Sequence, residues 1–322
     1  MKKLVALVVM LMLLVGSLAG CGQQTIKIGI TGPLTGNSSQ MGQSQQNGIM
    51  LAVEEANAAG AKIETVFVDD QAQPTQAVNM VKKLVYKDNV AVVMGTPNSP
   101  TSLASMEVTK EAKTPHVVTS SVATAITSSG NPWVVRFATL DSIMAKHFVN
   151  FTVNEKKFSK IAILHDSTDY GKGGKAALLE SLKQFKIEPV IIESFNNGDK
   201  DFSAQLIKIK SSGADGLFLW GTYVEGAQIV RQAKQLNLGL PVLASSGVLL
   251  GTFSELAGDA AEGIYVVSIF SPTDQSPRVK EFVDKYEKKY GRKPDVTAAV
   301  SYDAAKVLTF VLKKAGSDKA KI

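Results

Sequence analysis

The sequence predicts an α/β fold in two lobes, each a mainly parallel sheet with helices on both faces. Three observations predict it. Strand-like and helix-like segments alternate along almost the whole chain, as they do where parallel sheets are covered on both sides. The alternation restarts after Arg136, which makes two runs rather than one. Roughly 300 residues follow the leader, and with 45% hydrophobic residues they suffice for two cores of ordinary size.

In order, "TIKIGIT" from Thr25 alternates apolar and polar residues like a strand and breaks at "GPLTGNS". A helical stretch follows to about Ala59, with Gly60 placed to end it. "KIETVFVDD" reads as a strand. From Thr75 to Tyr86, Ala77, Val78, Met80, Val81, Leu84 and Val85 recur at helical spacing. "VAVVMG" and "TPHVVT" are short buried strands. After Arg136 come a helix near 143–153, the strand "KIAILHD", a helix from about Gly174 to Phe185 and the strand "EPVIIESF". A helix near 202–209, "DGLFLWG", a helix over 223–236 and "LPVLA" complete the second run. Two further helices follow "GIYVVSIFSP", one with an apolar stripe of Val279, Phe282, Val283, Tyr286 and Tyr290. Strand-like pieces near Val134–Phe137 and Tyr265–Phe270 mark the crossings between lobes. The boundaries that follow are lobe 1 over 21–137 plus 271–322 and lobe 2 over 138–270. A ligand cleft is expected between them.

The first 20 residues stand apart. Lys2 and Lys3 precede an unbroken apolar run of 12 residues, Leu4 to Val15, then small residues up to Cys21. A permanent span needs roughly 20 apolar residues, so this run suits a signal peptide. A lone cysteine forms no internal disulfide, and "LAGC" resembles the bacterial lipobox, whose cysteine carries lipid. Cys21 is therefore the expected lipid attachment point, and the protein an exported one, anchored at the outer face of the cytoplasmic membrane or held in the periplasm. Removing Lys2 and Lys3 lowers the net charge from +6 to +4. With no Lys/Arg run to track phosphates, nucleic acid is a poor partner.

Catalytic signals are weak. "DYGKGGKA" lacks both the leading glycine and the Ser/Thr of a phosphate loop, and its glycines read as a turn opening a helix. His116, His147 and His165 are scattered without metal-ligand spacing, and no G-x-S-x-G elbow occurs. Asp69 and Asp70 end a strand, but adjacent strand residues point opposite ways. No enzyme activity, metal or cofactor is expected.

Binding chemistry is easier to place. In open α/β sheets ligands sit beyond the carboxyl ends of strands, against helix N-termini that suit a carboxylate. "MGTPNSPTSLA" fits, with Ser99 read as N-cap and Pro100 as first helical residue. Ser99 either caps alone or also presents its hydroxyl to a ligand. Ser120 and Ser121 in "TSSVAT" are a second hydroxyl cluster or an ordinary polar turn. "TYVE" is a capping box of Thr222 and Glu225, which makes Glu225 structural. Tyr170 and Tyr223, at helix starts in lobe 2, would project towards the cleft.

These stretches, with "IKIGITGPLTG", "MGQSQQNGIMLAVEEANAAG", "HDSTDYGKGG", "DFSAQLIKIKSSGADGLFLWG", "AGDAAEGIYVVS" and "AAVSYDAAKVL" in order, resemble the type I periplasmic solute-binding proteins of the branched-chain amino acid ABC transporters. The resemblance runs from Thr25 to about Ala315. It implies two lobes that close on a solute and deliver it to an ABC permease with its ATPase subunits. Residue by residue, it implies that Ser99 binds the ligand carboxylate and that Ser120, or Ser121 after a one-residue shift, offers a backbone carbonyl to the ammonium. Tyr170 and Tyr223 would close over the ligand. Three positions depart from the family pattern: Met41 stands for an aromatic, Val122 for a threonine, and Ser246 for the acid that pairs with the ammonium.

A buried ammonium without its carboxylate costs several kcal/mol. Either another acid serves, Glu225 being the nearest candidate, or the ligand has no ammonium. The second is the expectation: a small carboxylate or neutral polar compound, such as an aromatic acid or amide, in place of an amino acid. The family also continues past the "YDAAKVL" helix for some dozens of residues, whereas this sequence stops at "AGSDKAKI". Lobe 1 is expected to expose unfilled surface there. A ligand sensor serving a membrane receptor is the rival function, and an exported enzyme a more distant one.

Overall fold

Short β-branched runs bounded by turn residues build two sheets in a computed structural model that describes residues 25–322. The leader and Cys21 lie outside the described residues. The first sheet contains β1 (Ile26–Gly32), β2 (Ile63–Asp69), β3 (Val92–Met94), β4 (His116–Val118) and β5 (Val134–Arg136), in the order β2-β1-β3-β4-β5. The second contains β6 (Ile161–Asp166), β7 (Ile191–Phe195), β8 (Gly216–Trp220), β9 (Val242–Ala244) and β10 (Tyr265–Val266), in the order β10-β9-β8-β6-β7. Every pairing is parallel. Read from its other edge, the second sheet repeats the arrangement of the first. This is the two-lobed α/β architecture that the alternation predicts.

Parallel sheets bury both faces, and β6 shows why its residues form one. Ala162 and Leu164 pack against α7 (Ser203–Ser211) and α8 (Tyr223–Gln235). Ile161 and Ile163 pack on the opposite side against α5 (Asp141–Asn150) and α6 (Asp169–Lys183). In lobe 1, Ile28 and Ile30 of β1 meet Ile49, Ala52 and Val53 of α1 (Ser39–Ala58) and Ala304, Ala305 and Leu308 of α11 (Val296–Ala315). The other face is closed by α2 (Pro74–Lys82) and α3 (Ser99–Glu111), where Val81 and Val108 pack with Val93. The short α4 (Ala125–Ser128) covers the β4 end.

The chain leaves the first sheet after Arg136 and enters α5, which packs on α6 of the second lobe. It returns after β10 through an extended stretch to α10 (Pro277–Tyr290) and α11, both packed on α1. Tyr290 donates from its hydroxyl to Asn47 O (2.9 Å), and Lys285 pairs with Glu55 (3.0 Å). Gly48 lets α1 and α11 touch, because a Cβ there would overlap the Ala298 carbonyl. At the free edge beside β5, Val135 and Val307 remain exposed.

Several local readings need correction. The helix after β6 starts at Asp169 rather than Gly174, because Thr168 caps it by accepting from the Tyr170 N–H (3.2 Å). The glycines of "DYGKGGKA" are therefore helical and serve close packing, not a turn: a Cβ on Gly171 would meet the Asp166 carbonyl, and one on Gly174 the Trp220 indole. Only Tyr265–Val266 of the second crossing segment is strand. A helix over Gly251–Ala257 (α9) was not foreseen in "GTFSELA", which is too short for a periodic signal.

Candidate functional site

In both sheets neighbouring strands send their connections to opposite sides at one point: between β1 and β3 in lobe 1, and between β6 and β8 in lobe 2. The carboxyl ends of strands at such points are where loops separate and leave a crevice. Here the two crevices face each other around a cavity of about 400 Å³.

The lobe 1 wall is formed by Met41 at the start of α1, Gln73 and Pro74 at the start of α2, and Pro97 to Pro100 at the start of α3. Asn98, not Ser99, is the cap of α3: its backbone is extended and its carbonyl accepts the first helical N–H, from Ser102 (3.0 Å). Ser99 is the first helical residue and Pro100 the second. The Ser99 hydroxyl accepts from the Ala123 N–H (3.3 Å), binding the loop after β4 to the helix. The first N–H groups of any helix lack partners inside it, so this wall offers donors and partial positive charge. Ser120 and Val122 also line the cavity, and among the described residues the buried Ser120 hydroxyl has no hydrogen-bond partner. Ser121 does not reach the cavity. Its hydroxyl donates to Thr96 O (2.8 Å) and pairs with Ser102 (2.8 Å) inside lobe 1.

The lobe 2 wall carries Asp166, Thr168, Asp169 and Tyr170 from the β6–α6 turn, with Thr222 and Ser246 beside them. Tyr170 donates its hydroxyl to Ser245 (2.9 Å), and burial holds the phenol far above its ordinary range. The Ser246 hydroxyl lies 3.8 Å from the Met144 sulfur. Tyr223 is absent from the cavity wall; its hydroxyl instead donates across to the Asn37 carbonyl of lobe 1. Glu225 is fully engaged, one oxygen accepting from the Gly198 N–H (2.9 Å) and the other from the Thr222 hydroxyl (2.9 Å).

The acids of the cavity are ones that the sequence reading passed over. Asp166 is 1% exposed, and burial raises its carboxyl above the usual range. Asp169 is exposed at the rim. Behind them Asp141 is fully buried, and among the described residues neither of its oxygens finds a hydrogen-bond donor. Burial pushes it to about 7, with Arg136 pulling the other way and Asp166 adding to the rise. The signal for Asp166 was available, since "HD" ends a strand at the point where connections diverge. The contributions of Thr297, Val300 and Ile269 were also missed, because they come from the returning segment far along the chain.

His116 and His165 are structural, and His147 is exposed on α5. His116 shares a hydrogen bond with Gly95 O (2.7 Å), and burial lowers it to about 4, which keeps it neutral. His165 donates Nδ1–H to Asp166 O (2.7 Å). Among the described residues no group of His, Cys, Asp and Glu is placed to hold a metal ion, and no helix is long and apolar enough to cross a membrane.

With this geometry in hand, the chain can be set beside known proteins. A family model described as periplasmic binding protein matches residues 25–321. The leucine-, isoleucine-, valine-, threonine- and alanine-binding protein of Pseudomonas aeruginosa is 31% identical over 91% of this chain and 79% of its own length. Among solved structures, a branched-chain amino acid transporter substrate-binding protein of Streptococcus pneumoniae, in complex with isoleucine, is 30% identical with a TM-score of 0.86. It covers 92% of this chain and 87% of its own. A solute-binding protein of an ABC transporter from Rhodopseudomonas palustris, in complex with 3,4-dihydroxybenzoic acid, is 25% identical with a TM-score of 0.83, covering 92% of this chain and 82% of its own.

Proposed function

The chain belongs to the periplasmic binding protein family, and from that premise we propose that it captures a small carboxylate-bearing solute between its lobes and presents it to an ABC-type import permease. The observation that carries this reading is the cavity itself. It takes its walls from both lobes, and on one side it meets the α3 N-terminus and the unpartnered Ser120 hydroxyl. Helix N–H groups and a free hydroxyl are donors that complement an anion. Isoleucine and 3,4-dihydroxybenzoic acid, bound by the two relatives described above, share little except a carboxylate. That common group is what the α3 wall is suited to hold.

In this reading no bond is made or broken, and the protein acts by binding alone. It works outside the cytoplasmic membrane, tethered through lipid on Cys21, with permease and ATPase subunits as partners. Ser99, Ser120 and Val122 hold the ligand from lobe 1, with Met41 packing on it, and Tyr170 and Ser246 close from lobe 2. The test is thermal unfolding of the purified protein against aliphatic and aromatic acids, amino acids and neutral amides. A ligand that binds only the folded state at a thousand times its dissociation constant adds about 4 kcal/mol, a shift of several degrees. A carboxylate-bearing compound is expected to raise the transition, and its methyl ester is not. Equal effects of acid and ester would overturn the assignment of the α3 wall.

A further inference from the structure

The geometry points to Asp166 as the residue that makes the site selective for a solute with a cationic nitrogen; this rests on the solute-capture reading above and extends it. Asp166 ends β6 where the connections of lobe 2 diverge, and it forms part of the cavity wall. One of its oxygens, Oδ1, is fixed by three donors: the Thr168 N–H (2.9 Å), the Thr168 hydroxyl and the Gly171 N–H (3.2 Å). Among the described residues the other oxygen, Oδ2, accepts no hydrogen bond. A residue that is 1% exposed thus offers an acceptor with no protein partner to the cavity.

A carboxylate that only capped the helix would leave its second oxygen in water. In a closing cleft that water is displaced, and an unpaired buried anion is costly. The surrounding charges do not remove the need for a partner. Asp141 stands behind, held largely protonated by its burial, and Asp169 at the rim carries the same sign, so neither supplies a positive charge. Lys172 lines the same cavity and Lys175 lies further along α6, yet among the described residues neither bonds the carboxylate; Arg136 donates instead to Ala123 O (2.7 Å) and the Thr127 hydroxyl (2.9 Å). His165, next in the chain, directs its Nδ1–H to a backbone carbonyl. A protonated amine on the ligand supplies the missing charge and donors. On this inference Asp166 takes the part that Ser246 and the engaged Glu225 cannot, and the ligand carries the ammonium that the sequence-based expectation leaves out.

The experiment compares acids that differ only by an amine: L-valine with isovalerate, L-leucine with isocaproate, L-phenylalanine with hydrocinnamate, and aminomethylbenzoate with toluate. Affinities are measured by calorimetry on the purified wild-type protein, on Asp166→Asn, and on Asp284→Asn as a charge removal far from the cavity. Asparagine keeps an oxygen for the Thr168 and Gly171 donors. In the pair that binds, the amine form is expected to be held at least 30-fold tighter. Asp166→Asn should erase that preference while Asp284→Asn retains it. If the des-amino acid binds as well as its partner, or Asp166→Asn keeps the preference, the assignment is wrong and solute capture stands. If Asp166→Asn does not fold, the wild-type pairs alone decide by the same criterion. Should no member of any pair bind, the capture of carboxylates fails, and the role of Asp166 with it.

Discussion

At the scale of single residues, the buried acids set the most testable behaviour. Asp141 has a native pKa of about 7, raised by burial, against 3.8 for the free group. Its native form therefore holds a proton that the unfolded form releases. Its contribution to stability is complete below about pH 4 and is lost as pH rises through 7. Asp141→Asn removes that loss, and the variant should exceed wild type at pH 8 by up to about 4 kcal/mol while differing little at pH 4. Urea unfolding at the two pH values measures this, and a constant difference between them would refute it. Asp70, raised to about 6, acts in the same direction, and His116 in the opposite one. Comparing variant with wild type cancels both. Little of this was legible in the sequence. Nothing in "ATLDSIM" says that Asp141 is sealed without a donor, because its burial is made by Gly173 and its neighbours on another helix. Ser120 and Ser121 illustrate the same limit: two adjacent serines look alike until the turn sends one hydroxyl to the cavity and the other into the lobe.

At the scale of elements, the alternating apolar pattern located the strands because period-two burial is a local property of the chain. Helix starts were less legible. α6 begins five residues earlier than the glycines suggested, since its beginning depends on Thr168 and Asp166 closing the turn. The glycines inside it record how close α6 lies to its neighbours, Gly171 to the end of β6 and Gly174 to β8. Gly174→Val would drive a side chain into the Trp220 indole, and the rigid sheet beneath cannot yield. The expected loss is about 3 kcal/mol or more, read as a lowered urea midpoint with an unchanged slope. Gly198, where a Cβ would meet open space but φ is positive, should cost less when replaced by asparagine, a residue that tolerates that conformation. A Gly174 variant as stable as wild type would mean that the α6–β8 contact can loosen.

At the scale of the whole molecule, the two-lobe plan could be read from the restart after Arg136, whereas the cavity could not be read in full. Its walls come from segments near 41, 73, 98, 120, 166, 222, 246, 269 and 297, and only the fold brings them together. Besides the backbone bonds at the crossing, from Ala138 N–H to Thr119 O and from Asp141 N–H to Val122 O, a side-chain hydrogen bond joins the lobes from Tyr223 to Asn37. Tyr223→Phe removes it, and solution scattering should then report a larger radius of gyration without ligand. Affinity should fall roughly three- to tenfold, the worth of a single hydrogen bond. An unchanged radius and affinity would show that the contact does not bias closure. The packing of α11 on α1 has a further consequence, concerning time. A chain emerging from the ribosome or a membrane channel presents α1 early, with Ile49, Ala52 and Val53 bare, and must wait for the last part of the chain before Ala304, Ala305 and Leu308 arrive to cover them. Lobe 2, an unbroken stretch, has all its parts well before then. The half of the molecule that is made first is thus the half that is finished last.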